Sequence, residues 1–443
     1  MQAQANANRI APDQVHDTLR RWMLVDGFPI VCDLEASHGA TLVDARSGRE
    51  YLDFFGCFGS TPIGWNPPAL RNDDFLAAAA AAVVNKPSNS DLYTPEMAAF
   101  VDTFCRHLAP EGYRHSFYVD GGALAVENAL KVAFDWKVRR NRAKGVDADV
   151  GTRILHFRHA FHGRSGYTMS LTNTDPTKVD YFPKFDWPRV DSPALHFPLD
   201  DDSLAAARSA EEASLAQIDA AFARYGDDIA AIIIEPIQCE GGDRHFRAEF
   251  LQALQARCER YDCLFIVDEV QVGYFASGRR WCFEHFDIQP DLIVFGKKTQ
   301  QCGILAGPRV DLVPDNVFAV SSRINSTWGG NLVDMIRATR VTEEAVARDL
   351  AGNAAERGEQ WLAGMAELAA DHGEISNIRG RGLILAFDLP SRERRDAVLA
   401  RMSEVGLLGL ACGERSLRFR PHLAVTVADV DRCLELTAEA LKR

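Results

Sequence analysis

The sequence predicts an α/β protein: a large domain on a mostly parallel central sheet flanked by helices, and a smaller α+β domain. Three observations carry this. First, the runs Ile229–Ile234, Cys263–Val267 and Leu292–Phe295 are apolar throughout, and each breaks off into polar residues: Glu235-Pro236-Ile237-Gln238, Asp268-Glu269-Val270-Gln271 and Gly296-Lys297-Lys298. Unbroken hydrophobicity marks strands covered on both faces, as in a parallel sheet. Second, the Leu/Ala/Glu/Arg-rich segment Ala248–Arg260 lies between the first two runs, so the pattern is β-α-β. Third, 443 residues are too many for one simple core. Ligands of such sheets sit at the carboxyl ends of the strands. Asp268 at the end of one strand and Lys297 at the end of another therefore form a candidate site, although strand-end residues of a surface turn would look the same.

From the amino terminus, Ala11–Leu24 has the spacing of a helix starting near Pro12, with Val15, Leu19, Trp22 and Met23 as an apolar stripe. Thr41–Ala45 and Tyr51–Phe55 flank a turn containing Gly48 and predict a hairpin. Phe55–Pro68, with Gly56, Gly59, Gly64 and Pro67-Pro68, predicts a loop. Asn85–Tyr93 is a polar loop ahead of a helix, Pro95–Leu108. Ser116–Val119 is a short strand, followed by Asp120-Gly121-Gly122-Ala123 and a helix, Val126–Trp136. A strand, a glycine turn and a helix start present free N–H groups and a positive dipole end to an anion such as phosphate; a plain turn is the commoner use. Strand Ile154–Phe157 leads to Ala160-Phe161-His162-Gly163-Arg164, where an aromatic can stack on a flat ring and an arginine can grip a carboxylate. Leu204–Tyr225 is an alanine-rich helix, and Ser321–Asn331 is a hydroxyl-rich loop able to bind an anion. Val333–Leu368 predicts one or two helices. Strands near Gly382–Phe387 and Leu417–Arg420, with helices near Arg392–Val405 and Val427–Leu441, make the α+β part. The expected division is an N-terminal segment over 1–70, a large domain over 71–335 and a small domain over 336–443.

Composition excludes several classes. A net charge of −13 without a basic block argues against nucleic acid as a partner. Ten cysteines without a CxxC pair argue against zinc and disulfide frameworks, so no metal is expected. Met1–Asn6 lacks a signal-peptide pattern, and no apolar run is long enough to span a membrane, so the expected location is the cytoplasm. Leu264–Glu269 has the form of a Walker B strand, but no GxxxxGK[ST] loop accompanies it. A buried lysine and a strand-end carboxylate suit pyridoxal phosphate chemistry, which needs an amine to form a Schiff base and an acid to hold the pyridine nitrogen protonated.

Together the glycine turn, Phe161-His162-Gly163, Glu235-Pro236, Asp268–Gln271, Pro290-Asp291 leading to Lys297, Ser326-Thr327 and Leu417-Arg418-Phe419 resemble the class III aminotransferases. These are pyridoxal 5'-phosphate enzymes of fold type I, and the resemblance covers nearly the whole chain. It implies that Lys297, rather than Lys298, holds the cofactor and shuttles a proton. Asp268 would pair with the pyridine nitrogen, Gln271 would reach the ring oxygen and Phe161 would stack on the ring. Gly122 and Ala123 would hold the phosphate, with Ser326 and Thr327 supplied by a second subunit of an obligate homodimer. Asn85–Tyr93, Gly121–Lys131, Lys184–Pro188, Glu240–Phe246 and Asn325–Asn331 are most similar to members that move the ε-amine of L-lysine to 2-oxoglutarate, giving L-glutamate. On that implication Arg164 binds the distal carboxylate, and Arg418 binds the carboxylate beside the reacting carbon of the keto acid. Glu240 would pair with Arg418 while lysine reacts. Three departures stand out: Gly-Gly-Ala-Leu-Ala in the phosphate turn, Lys-Thr-Gln rather than a glycine run after Lys297, and Phe54–Trp65 in a pocket-lining region. The third leaves ornithine or 4-aminobutyrate as alternative amine donors.

Overall fold

The computed structural model describes residues 10–146 and 150–442, so the Met1–Asn6 reading lies outside the described residues. Seven strands form the central sheet, in the order His115–Val119, Cys302–Ala306, Leu292–Phe295, Leu264–Asp268, Ile229–Ile234, Arg153–Phe157, Arg189–Val190. Cys302–Ala306 alone runs against the rest, since it pairs antiparallel with both neighbours. The other neighbouring pairs are parallel.

The unbroken apolar runs follow from two cores, one on each face. Ile232, Ile234, Phe265 and Val267 pack with Phe250, Leu251 and Leu254 of the helix Ala248–Arg260. Ala231, Ile233, Leu264 and Ile266 pack with Leu130, Ala133 and Trp136 of the helix Gly122–Ala143 on the opposite face. Successive strand residues point to opposite faces, so a strand that feeds both cores can spare no polar position.

The C-terminal part builds a four-stranded antiparallel sheet, Ser376–Arg381, Ile384–Asp388, Ser416–Phe419, Leu410–Cys412. Its helices are Leu350–Asp371, Arg392–Val405 and Val427–Leu441. The N-terminal hairpin, Thr41–Val43 with Glu50–Asp53, adds Leu407–Leu408 as a parallel third strand. The start and the end of the chain are thereby joined.

Some elements differ from expectation. The first helix shrinks to Val15–Arg20 after a 3-10 turn, and its stripe is not buried: Trp22 is 89% exposed. Gly382 lies in the tight turn between Ser376–Arg381 and Ile384–Asp388, at φ +54°, rather than in a strand. Val333–Leu368 resolves into two helices, Leu332–Ala347 and Leu350–Asp371. A further helix, Asp73–Val84, is N-capped by Asn72, whose side chain accepts from the Phe75 N–H. Its Ala77–Ala82 run carries no apolar stripe to announce it. Among the described residues no helix is long and apolar enough to cross a membrane.

Candidate active site

The carboxyl ends of the like-directed strands open on one cavity of about 570 Å³. Each strand delivers a different group. His115–Val119 leads to Gly122 and Ala123, Arg153–Phe157 to Phe161 and Arg164, Ile229–Ile234 to Glu235, Leu264–Asp268 to Asp268 and Gln271, and Leu292–Phe295 to Lys297. Seven of the sequence-predicted site residues therefore share the cavity wall: Gly122, Ala123, Phe161, Arg164, Asp268, Gln271 and Lys297.

Two adjacent lysines take opposite directions. Lys297, at φ +55°, lines the cavity. A non-glycine residue in the left-handed region costs on the order of 1 kcal/mol or more and persists where its surroundings demand it. Lys298 points away: its Nζ donates to the carbonyls of Gly59 (3.2 Å), Thr61 (3.3 Å) and Pro421 (3.0 Å). An ammonium has three protons to give, and all are taken. Burial, followed by the charge of Arg418, lowers Lys297 to about 8. An amine near that value is available in its uncharged, nucleophilic form close to neutrality.

Asp268 is held by two hydrogen bonds. Val270 N–H donates to one carboxylate oxygen (3.1 Å), and the other lies 2.8 Å from His162 Nδ1. Burial alone would strip the proton from His162, but the hydrogen bond and charge of Asp268, with Glu235 nearby, raise its proton affinity above the ordinary histidine value. Glu235 accepts from the Phe161 N–H (2.9 Å) and the Cys239 N–H (3.3 Å), fixing the loop that carries the aromatic ring. Burial pushes Glu235 up to about 7. Glu127 pins the next part of that loop, accepting from Ser165 Oγ and the Tyr167 N–H, each at 2.7 Å. Sequence reasoning assigned no role to His162, Glu127 or Lys298. The one signal for Glu127 was a carboxylate on an otherwise apolar helix face.

The residues present fit pyridoxal phosphate. At one end the helix Gly122–Ala143 begins with no side-chain cap and no acid in its first turn. The first N–H groups of a helix have no partner within it, and here they face the cavity, an arrangement suited to phosphate. A Cβ at Gly122 would lie 2.9 Å from Val270 Cγ1, and Gly121 sits at φ +100°, so the turn tolerates no side chain without rearrangement. Across the cavity stand the amine of Lys297 and the carboxylate of Asp268, the two groups the cofactor's aldehyde and ring nitrogen require.

Four predicted residues lie outside this cavity. Glu240 and Arg418 line a neighbouring one of about 250 Å³. Arg418 is buried, and its Nη1 donates to Gln271 Oε1 (2.7 Å), which links the two spaces. Glu240 does not rest on Arg418 here; that pair is the one expected while lysine reacts. Glu240 instead accepts from Lys178 Nζ and from Thr174 Oγ1 (3.2 Å), which leaves its carboxylate partly exposed. Ser326 and Thr327 belong to neither cavity. Their carbonyls accept from Ser90 Oγ (2.5 Å) and Ser88 Oγ (2.6 Å), so the hydroxyl-rich loop is stitched to the polar loop Asn85–Tyr93.

Comparison with known proteins agrees with this layout. The family model "Aminotransferase class-III" matches residues 24–441. L-lysine-epsilon aminotransferase of Mycobacterium tuberculosis is 51% identical over 432 residues, covering 97% of this chain and 96% of that protein. The enzyme of the same name from Amycolatopsis lactamdurans is 52% identical, covering 96% and 95%. The solved structure of lysine aminotransferase from M. tuberculosis in the internal aldimine form superposes with a TM-score of 0.95 at 50% identity, covering 98% of this chain and 99% of that one. With a family match across almost the whole chain and a lysine, a carboxylate and an uncapped helix start converging on one cavity, the chain belongs to the class III aminotransferases, fold type I transferases that work with pyridoxal 5'-phosphate.

Proposed function

We propose that this aminotransferase moves the terminal amine of L-lysine to 2-oxoglutarate, yielding L-2-aminoadipate 6-semialdehyde, which cyclises to piperideine-6-carboxylate, and L-glutamate. About 50% identity to enzymes named for lysine, over nearly the full length of both partners, is the observation that carries the choice of donor. When bound, pyridoxal phosphate supplies an aldehyde that condenses with amines and a pyridinium ring that withdraws electrons from the neighbouring carbon.

The chain's own residues supply the rest. Lys297 would hold the cofactor through its ε-amine and carry a proton to and from the substrate carbon. Asp268, backed by His162, would keep a proton on the ring nitrogen. Phe161 would cover the ring, Gln271 would reach its oxygen, and Gly122 and Ala123 would cradle the phosphate. Arg164, at the cavity rim and in none of the ion pairs of the described residues, grips the distal carboxylate of either substrate. Arg418 takes the carboxylate beside the reacting carbon of 2-oxoglutarate. Lysine presents no such carboxylate when it reacts at its ε-amine, so a buried Arg418 then needs Glu240 as its counter-charge.

Ser326 and Thr327 stand away from their own chain's cavity, which suits a homodimer in which each site borrows this loop from the partner. The working location is the cytoplasm. The chain divides at residues 70 and 335, and the pairing of Leu407–Leu408 with the hairpin strand Glu50–Asp53 supports an N-terminal segment that packs with the small domain.

The test is a panel of amine donors, each mixed with the pyridoxal form of the enzyme while the change of absorbance is followed. L-lysine should react with the highest kcat/KM, and L-glutamate should complete the reverse half. Ornithine or 4-aminobutyrate reacting faster than lysine would overturn the assignment and point to the altered Phe54–Trp65 wall.

A further inference from the structure

Glu240 has two cations to choose from. Its backbone is fixed: Gly413 N–H donates to the Glu240 carbonyl (2.8 Å), and Arg379 holds the carbonyls of Gly242 (2.6 Å) and Asp243 (2.9 Å). A Cβ at Gly241 would strike the His159 carbonyl at 2.1 Å, so the loop is packed tight as well as bonded. Only the side chain is left to move, and the neighbouring cavity of about 250 Å³ gives it room. Lys178, Glu240 and Arg418 all line that space. At one side the carboxylate meets Lys178 Nζ. At the other lies Arg418, whose Nη1 is used by Gln271 but whose buried Nε has no partner.

We infer that Lys178 is the second station of the Glu240 carboxylate, a latch that holds the gate off Arg418 and leaves that arginine free for the keto acid. The inference rests on the proposed gating role of Glu240 and adds to it the residue that sets the balance between the two substrates. Lys178 is suited to the part. It closes the 3-10 turn Pro176–Lys178, capped by Asp175, whose carboxylate accepts from the Thr177 N–H (3.0 Å). Its ammonium lies 5.9 Å from the ring centroid of Phe161, at the outer limit of a cation–π contact. A cation carried on a capped turn beside a movable carboxylate makes a two-position switch, and a ligand moves such an equilibrium only through its different affinity for the two positions. The keto acid and glutamate bind the position in which Glu240 rests on Lys178. Lysine binds the one in which Glu240 covers Arg418.

The size of the effect follows from exposure. The Lys178 and Glu240 side chains are 34% and 19% exposed, and a partly exposed ion pair shifts an equilibrium by up to about fivefold. Lys178→Met should therefore raise the dissociation constant of 2-oxoglutarate for the pyridoxal form of the enzyme, measured by spectral titration, by about fivefold. The apparent dissociation constant of L-glutamate in its half-reaction should rise equally, while that of L-lysine stays level or falls. Lys178→Arg should restore wild-type values. On a Glu240→Ala background, Lys178→Met should change nothing further, because the latch then has nothing to hold.

Each contrary result has one meaning. If Lys178→Met leaves 2-oxoglutarate binding untouched while Glu240→Ala alone separates the two substrates, the latch is wrong and the gate stands. If Lys178→Met weakens 2-oxoglutarate equally with or without Glu240, Lys178 touches substrate directly and the latch is wrong. Equal weakening of lysine and glutamate would make Lys178 structural. If Glu240→Ala fails to separate the substrates, the gating reading falls and takes the latch with it.

Discussion

Burial depresses both Lys297 and Lys298, to about 8 and about 7, so proton affinity alone does not single out Lys297 as the proposed reactive amine. Direction decides instead. Lys298 spends its three protons on the carbonyls of Gly59, Thr61 and Pro421, whereas Lys297 faces the cavity. This part of the site was not legible from residue types, because a Lys-Lys pair after a strand looks symmetric until the chain's left-handed step at Lys297 is known. Two outcomes follow. Borohydride reduction of the holoenzyme should leave the pyridoxyl label on the peptide at Lys297, and a label on Lys298 would refute the assignment. The apoenzyme should take up pyridoxal phosphate at a rate that follows the uncharged amine. That rate should climb about tenfold per pH unit and then level above a midpoint near the Lys297 value of about 8. Arg418→Gln removes a positive charge that lowers Lys297, so the midpoint should move upward. A midpoint that stays put would show that the charge of Arg418 does not reach Lys297.

At the scale of elements, the strands, the glycine turn and most helices were readable because each carries its own chemistry. A strand buried on both faces must be apolar throughout, and Ile229–Ile234 and Leu292–Phe295 keep the limits expected of them. What the sequence hid were contacts between elements. His162 on Asp268, Glu127 on the loop after Phe161, and Lys178 on Glu240 each join residues more than 35 positions apart, and no local pattern announces such pairings. The junction of the Phe161 loop with the phosphate helix is tight. Gly163 sits at φ +110°, and a Cβ there would lie 2.5 Å from Ala123 Cβ. Gly163→Ala should push the loop off the helix start. Strain and overpacking of this kind cost roughly 1–3 kcal/mol each, so the variant should melt several degrees lower and bind pyridoxal phosphate at least tenfold more weakly. Equilibrium dialysis against the cofactor gives the second number. Unchanged affinity in a folded variant would mean that the loop and the cradle are not coupled.

The whole molecule raises the question of what completes the site. Phe161, Asp268 and Lys297 line the cavity, but the hydroxyls proposed for the phosphate, Ser326 and Thr327, lie on a loop stitched to Asn85–Tyr93. In a dimer with twofold symmetry the same loop meets the partner's cavity twice, once in each direction. That arrangement predicts complementation. Lys297→Ala should be inactive because the amine is gone, and the double variant Ser326→Ala/Thr327→Ala should be strongly impaired because it binds the cofactor poorly. When the two are unfolded together and refolded in equal amounts, about half of the dimers are mixed, and each mixed dimer has one site with both defects and one with neither. Activity should then return to about a quarter of wild type, measured with lysine and 2-oxoglutarate at a cofactor concentration that saturates the wild type but not the Ser326→Ala/Thr327→Ala variant. If each site instead used its own chain's loop, the mixture would show no more activity than its two components separately, and the shared-site dimer would be wrong.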